Sequence, residues 1–162
     1  SGGVQSQMDM QDALDSLEDL TMNANVSLYY TKGVNRAAMP GEPIENNRDI
    51  THPIMQSKTF FIGRAEDGKM FYYLIIWSKD DKTLYYYQDS LGVTSGTGGH
   101  GTKEVFAKNV TQFAADISQA ANGHTVQFKL VTKVNGREVE KTETVTLRND
   151  VVIAAPGTEK TE

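Results

Sequence analysis

Three histidines, His52, His100 and His124, come first among the residues that could do chemistry, because imidazole is both a common metal ligand and the usual general base. No two of them share a metal-ligand spacing, and none stands beside a second ligand-type motif, so they read as solvated loop residues and no metal site is expected. Asp80, Asp81 and Asp89 are oxygen donors of the kind calcium takes. They lack the spacing of a calcium loop, and a charged hairpin turn accounts for Asp80 and Asp81. The glycine-rich stretch 92–103 closes as Gly101-Thr102-Lys103-Glu104, the wrong order for a phosphate-cradling loop. Serines and aspartates are plentiful, yet no nucleophile elbow or zinc-protease helix motif is present. The chain has no cysteine, which removes thiolate chemistry and disulfides. Carboxylate pairs such as Asp15 and Asp19 fall on a solvated helix face. Asn25-Val26-Ser27 and Asn109-Val110-Thr111 match the glycosylation pattern and read as chance matches. The expectation is a non-enzyme with no catalytic residues, no cofactor and no metal.

Bulk properties narrow the partners. A formal net charge of −5 argues against a nucleic-acid binder, which needs a basic surface to release counterions. The most apolar run, Phe71 to Trp77, is far too short to cross a bilayer. The opening Ser1-Gly2-Gly3 looks like a cloning remnant, so residues 1–7 are read as remnant and linker, and the natural start is expected to lie upstream. Length fits one domain, 8–155, with a frayed tail at 156–162.

The elements follow from periodicity. From Met8 to about residue 30 the pattern is helical: Met10, Ala13, Leu14, Leu17, Thr21, Ala24 and Leu28 recur at three- and four-residue steps and form the stripe expected to face the core. Met8, Met22 and Val26 form a weaker stripe on the other side, a candidate subunit contact. Residues 31–57 hold three of the four prolines and read as a long irregular connection. Thr59 to Arg64, Met70 to Ser78 and Thr83 to Gln88 read as an antiparallel meander whose aromatic residues alternate between faces, one set for the core and one for an exposed patch or loop cover. The glycine-rich stretch is a loop spanning 90–102. Gln112 to Ile117 and Thr125 to Val134 are further strands. Asn135-Gly136 demands a type I′ hairpin, pairing positions that sum to 271: Val126 with Val145, Lys133 with Glu138, and Phe128 with Glu143. The last pair, apolar against acid, predicts a bulge. Val151-Val152-Ile153 adds a short edge strand. The fold expected is α+β: a long N-terminal helix, residues 8–30, packed on an antiparallel sheet spanning 58–155.

This order resembles the type IV pilins and the pseudopilins of type II secretion, with greatest similarity to minor members of the J- or W-like kind. Two stretches carry the resemblance: Lys103-Glu104-Val105-Phe106-Ala107-Lys108-Asn109-Val110-Thr111-Gln112-Phe113 leading into a strand, and Thr144-Val145-Thr146-Leu147-Arg148-Asn149 closing one. The run Leu84-Tyr85-Tyr86-Tyr87 after Phe71-Tyr72-Tyr73 fits as well. The peptidase site and apolar half-helix diagnostic of a prepilin do not occur in this sequence. The resemblance implies a pilin-like fold and a structural subunit, a minor pilin or pseudopilin acting in filament initiation, capping or assembly. Implied partners are other pilin or pseudopilin subunits and, through a missing N-terminal helix, the membrane. The implied location is the bacterial cell surface or periplasm, with membrane anchoring before assembly. The alternative is a surface adhesion domain that binds a ligand through residues 33–57 or 90–102.

Overall fold

The computed structural model describes residues 2–31, 57–89 and 103–154. Among these residues the helix α1 covers Gly2–Met22, and nine strands follow: β1 Ser27–Thr31, β2 Ser57–Glu66, β3 Lys69–Ser78, β4 Thr83–Asp89, β5 Lys103–Ala107, β6 Val110–Asp116, β7 Thr125–Val134, β8 Arg137–Thr146 and β9 Val152–Ile153. A single short turn of helix, α2 (Ala120–Gly123), lies between β6 and β7. The strands form two sheets, one of six in the order β5-β4-β3-β2-β1-β9 and one of three in the order β6-β7-β8.

This overturns the α+β expectation of a long helix laid across one antiparallel sheet. The chain is mostly β, with two sheets. Backbone helix begins at Gly2, inside the span read as linker, and ends at Met22 rather than near residue 30. Residues 27–31 form β1, paired antiparallel with β2 and parallel with β9. The reason lies in Ser27-Leu28-Tyr29-Tyr30-Thr31, where two aromatic residues and a β-branched one suit a pleated, half-buried surface. Leu28 and Tyr30 are buried two residues apart, the period of a strand. A four-residue step such as Ala24 to Leu28 is even, so it satisfies both a helical stripe and one face of a strand. The parallel β1·β9 pair is a second departure from an all-antiparallel reading. The connection 32–56, the loop 90–102 and the tail 155–162 lie outside the described residues.

Two turns set most of the register. Asp67 and Gly68 have φ of 51° and 77°, and Asn135 and Gly136 have 52° and 77°, the double positive φ of a type I′ hairpin. β7 and β8 pair in the register summing to 271 along their whole length, so Phe128 faces Glu143 without a bulge. Register shifts fall elsewhere, between β4 and β5 and between β6 and β7.

The crossing between sheets is made by Lys108 and Asn109. Asn109 takes a left-handed conformation, φ 60°, which asparagine tolerates better than most residues. Its carbonyl accepts from Lys133 N at 2.9 Å, and Val110 N donates to Lys82 O at 2.8 Å. The indole Nε1 of Trp77, on β3, donates to Val110 O at 3.0 Å in a buried site. Between the sheets sit Phe60, Phe113 and Phe128, with Phe60 edge-on to Phe128 at 5.2 Å and Phe113 stacked on Phe128 at 6.3 Å. Ile62, Tyr73, Ile75, Trp77 and Leu84 of the large sheet complete this core with Val126, Leu130 and Val145 of the small one. Met10, Ala13, Leu14 and Leu17 bring α1 into the same cluster. The helix lies in the seam between the sheets, against β5 of one and β7 and β8 of the other.

Candidate functional site

The seam where α1 meets the β body gathers hydrogen bonds from distant parts of the chain. Met10, Ala13, Leu14, Leu17, Thr21, Ala24 and Leu28 are all buried, at 2% exposure or less. Only the first five belong to α1; Ala24 follows its end and Leu28 lies on β1. Thr21 Oγ1 is buried with no hydrogen-bond partner among the described residues. The second group does not form one stripe. Met22 is half-buried and packs against the core, while Val26 lies beyond the helix. Val26 N donates to Gly63 O at 3.2 Å, and its carbonyl accepts from Val152 N at 3.0 Å. The side chain of Met8 lies outside the described residues.

The last carbonyls of a helix need partners from elsewhere. Here the segment after β8 supplies them. Arg148 N donates to Met22 O at 3.0 Å, and Asn149 Nδ2 donates to Ala24 O at 3.2 Å. Arg148 Nη1 donates to Asn23 Oδ1 at 3.2 Å, while Asn23 Nδ2 donates back to Asp19 O at 2.8 Å. Leu147, beside them, is buried, and its N donates to His124 O at 2.8 Å. Asn25 extends the clamp to β2: its Nδ2 donates to Ala65 O at 3.0 Å and its Oδ1 accepts from Ala65 N at 2.8 Å. The side chain thus imitates one more rung of the β1·β2 ladder. This arrangement gives Arg148-Asn149 a geometric task, closing the C-terminus of α1. Asn109-Val110 has the corresponding task at the crossing between sheets.

A second feature of the seam is electrostatic. Glu143 points from β8 toward α1, with Oε2 buried and unpartnered among the described residues. Burial raises its pKa above the ordinary value, and Glu18 and Asp15 on the helix raise it further; Lys141 acts in the opposite sense. Lys141 Nζ donates to Gln11 Oε1 at 2.9 Å, pinning helix to strand beside the acid group. The Phe128–Glu143 pairing foreshadowed this position, but its sequence signal was read as a bulge.

Aromatic residues divide by face as alternation requires. Tyr73, Ile75 and Trp77 enter the core between the sheets. Tyr86 stacks on Tyr73 at 6.3 Å and on Phe106 at 5.0 Å, and the Arg64 guanidinium lies 5.6 Å from the Tyr73 ring centroid. Burial, then Tyr73, then Glu104 push the Tyr86 hydroxyl up to about 12. On the opposite face, Tyr29, Phe61, Leu74 and Tyr87 occupy one register row, with Tyr29 and Phe61 rings 6.2 Å apart. Tyr72 and Leu74 on that face are buried, so it is not a bare aromatic patch.

Comparison with family models, curated proteins and solved structures finds no match.

The remaining chemical candidates stay apart. His52 and His100 lie outside the described residues. His124 takes φ 57°, and its Nε2 lies 2.7 Å from Asp150 Oδ1, an exposed pair to which no hydroxyl nucleophile is bonded among the described residues. Among those residues no group of three metal-ligating side chains converges. Asp81 Oδ2 accepts from Tyr85 OH at 2.9 Å, and Asp81 N donates to Ser78 Oγ at 3.5 Å, bonds that organise the β3–β4 turn. No helix among the described residues is long and apolar enough to cross a membrane. Asp15 and Asp19 are exposed, as a solvated face requires.

Proposed function

We propose that this chain is a non-catalytic structural subunit of a type IV pilus or type II secretion-like filament, acting in its initiation, capping or assembly. The observation that supports the reading best is the clamp of Arg148 and Asn149 on the end of α1 and the two residues after it. A filament subunit has to join an N-terminal helix firmly to a globular body. Here two consecutive residues more than a hundred positions away do so. The same residues carry the resemblance to minor pilins and pseudopilins, as do Asn109 and Val110 at the sheet crossing. Partners on this reading are other subunits of the filament, with membrane anchoring through a segment upstream of this chain. The ligand-recognition alternative rested on residues 33–57 and 90–102, whose span falls almost wholly outside the described residues.

The test is biochemical and done in the source cells. Surface filaments are sheared and purified, and the chain is sought in them by mass spectrometry; filament number and length are then counted after deletion of its gene. Presence in the filaments, or fewer or altered filaments on deletion, is the expected result. Absence from the fraction together with unchanged filaments refutes the reading.

A further inference from the structure

Among the described residues the exposed large hydrophobic side chains are Val105, Val152 and Ile153, at 50%, 51% and 38% exposure. Their distribution is not scattered. Val105 lies on β5 and the other two on β9, the opposite outer strands of the same six-stranded sheet. An outer strand carries unpaired backbone donors and acceptors, which make it a template for another strand. Proteins usually blunt such edges with charge, bulges or short strands; β5 carries Glu104 and a bulge and β9 is two residues long, yet an exposed apolar side chain stands on each.

We infer that β5 of one copy pairs with β9 of the next, so that this sheet continues from copy to copy. Strand direction permits it. β1 through β5 alternate by four antiparallel pairings, and β9 is parallel to β1, so β5 and β9 point the same way. A copy displaced along the sheet without inversion therefore offers β9 to β5 as a parallel neighbour. The pleat agrees as well. Val105 pairs with Tyr85 and Val152 with Ser27, and both rows lie on the sheet face away from the core. Setting Val105 beside Val152 keeps each side chain on its own face. The contact joins two different surfaces, so it is heterologous and does not close into a dimer. With a twist of roughly 20–25° per strand, six strand steps turn each copy by roughly 120–150°, so growth is helical.

This inference deepens the assembly reading by naming a second copy of the chain as the partner, and its test is independent of the cell. Sedimentation velocity is run on the 162-residue protein over a concentration series. The weight-average sedimentation coefficient is expected to rise without a plateau at the dimer. Val105→Lys or Val152→Lys alone is expected to weaken association by about tenfold or more, with circular dichroism unchanged because both sites are exposed. Mixing the two variants restores a one-to-one pair and nothing larger, since each keeps one intact edge. Wild-type protein that stays monomeric overturns the inference, as does a closed dimer or a mixture that forms no pair. Self-association in the tube with no chain in filaments sinks the filament reading instead and leaves this contact standing.

Discussion

Glu143→Gln is expected to make the protein more stable at neutral pH, against the usual trend for substitutions in a half-buried seam. One carboxylate oxygen is buried without a partner among the described residues, and the groups facing it are Asp15 and Glu18 from α1 and Lys141 on its own strand. A polar atom left unsatisfied in a buried place costs about 1–3 kcal/mol, more for a charge. Lys141 offsets part of this, and the carboxylate keeps some contact with water, so a gain of about 1 kcal/mol is expected at pH 7. For a domain of this size that corresponds to a rise in Tm of about 2–4 °C. The pH dependence carries the diagnostic. Burial first, then Glu18 and Asp15, raise the folded-state pKa above its ordinary value of 4.5. The folded chain therefore holds this proton over a window in which the unfolded chain has lost it, and stability falls as pH rises through the folded-state value. Below the ordinary value both states are protonated and the penalty vanishes. Calorimetric melts of wild type and variant from pH 4 to pH 8 should coincide at the acid end and diverge in favour of the glutamine toward neutrality. Equal melting at pH 7, or a variant that melts lower there, refutes the account of the seam.

Leu17→Asp places an unpaired charge at a position with 0% exposure, and a loss above about 4 kcal/mol is expected, enough to abolish a cooperative melt. Trp77→Phe strips the donor from the buried Val110 carbonyl and leaves a void where the larger indole stood, and denaturant titration should show a loss of at least about 1–3 kcal/mol. Gly136→Ala meets no neighbouring atom, so its cost is the φ of 77° alone, about 1 kcal/mol by the same titration. Asn149→Ala removes the bond to Ala24 O and should speed amide hydrogen exchange in the last turn of α1 while leaving β7 and β8 unchanged.

Local chemistry made part of this fold legible. Asn135-Gly136 admits only one kind of turn, and from that turn the pairing of all ten β7 residues with β8 follows by counting. The β2–β3–β4 meander could be read the same way from its two turns. What failed was local evidence that served two structures equally. Ala24 to Leu28 is a helical step and also an even step, so β1 was absorbed into the helix. The direction of β9 depends on where the chain returns, and two residues hold no record of that. The division into two sheets depends on Asn109 adopting a left-handed corner, a choice confirmed by Lys82, Trp77 and Lys133, which are distant in sequence. Glu143 opposite Phe128 was visible as an anomaly, but its cause is the helix above it, which strand pairing cannot reveal. Arg148 and Asn149 were noticed as part of a closing segment; that they complete a helix 125 positions away required the fold.

The place where α1 gives way to β1 also governs how the molecule would answer tension. A pull transmitted along α1 reaches Met22, Asn23 and Ala24 first, and all three are tied to residues 148 and 149. Directly behind them Asn25 grips Ala65, and Val26 is bonded to Gly63 on one flank and Val152 on the other. From this end β1 cannot be peeled one bond at a time. Force entering there must break bonds to β2, to β9 and to the segment between β8 and β9 together, so rupture requires the concerted failure of three separate parts of the chain.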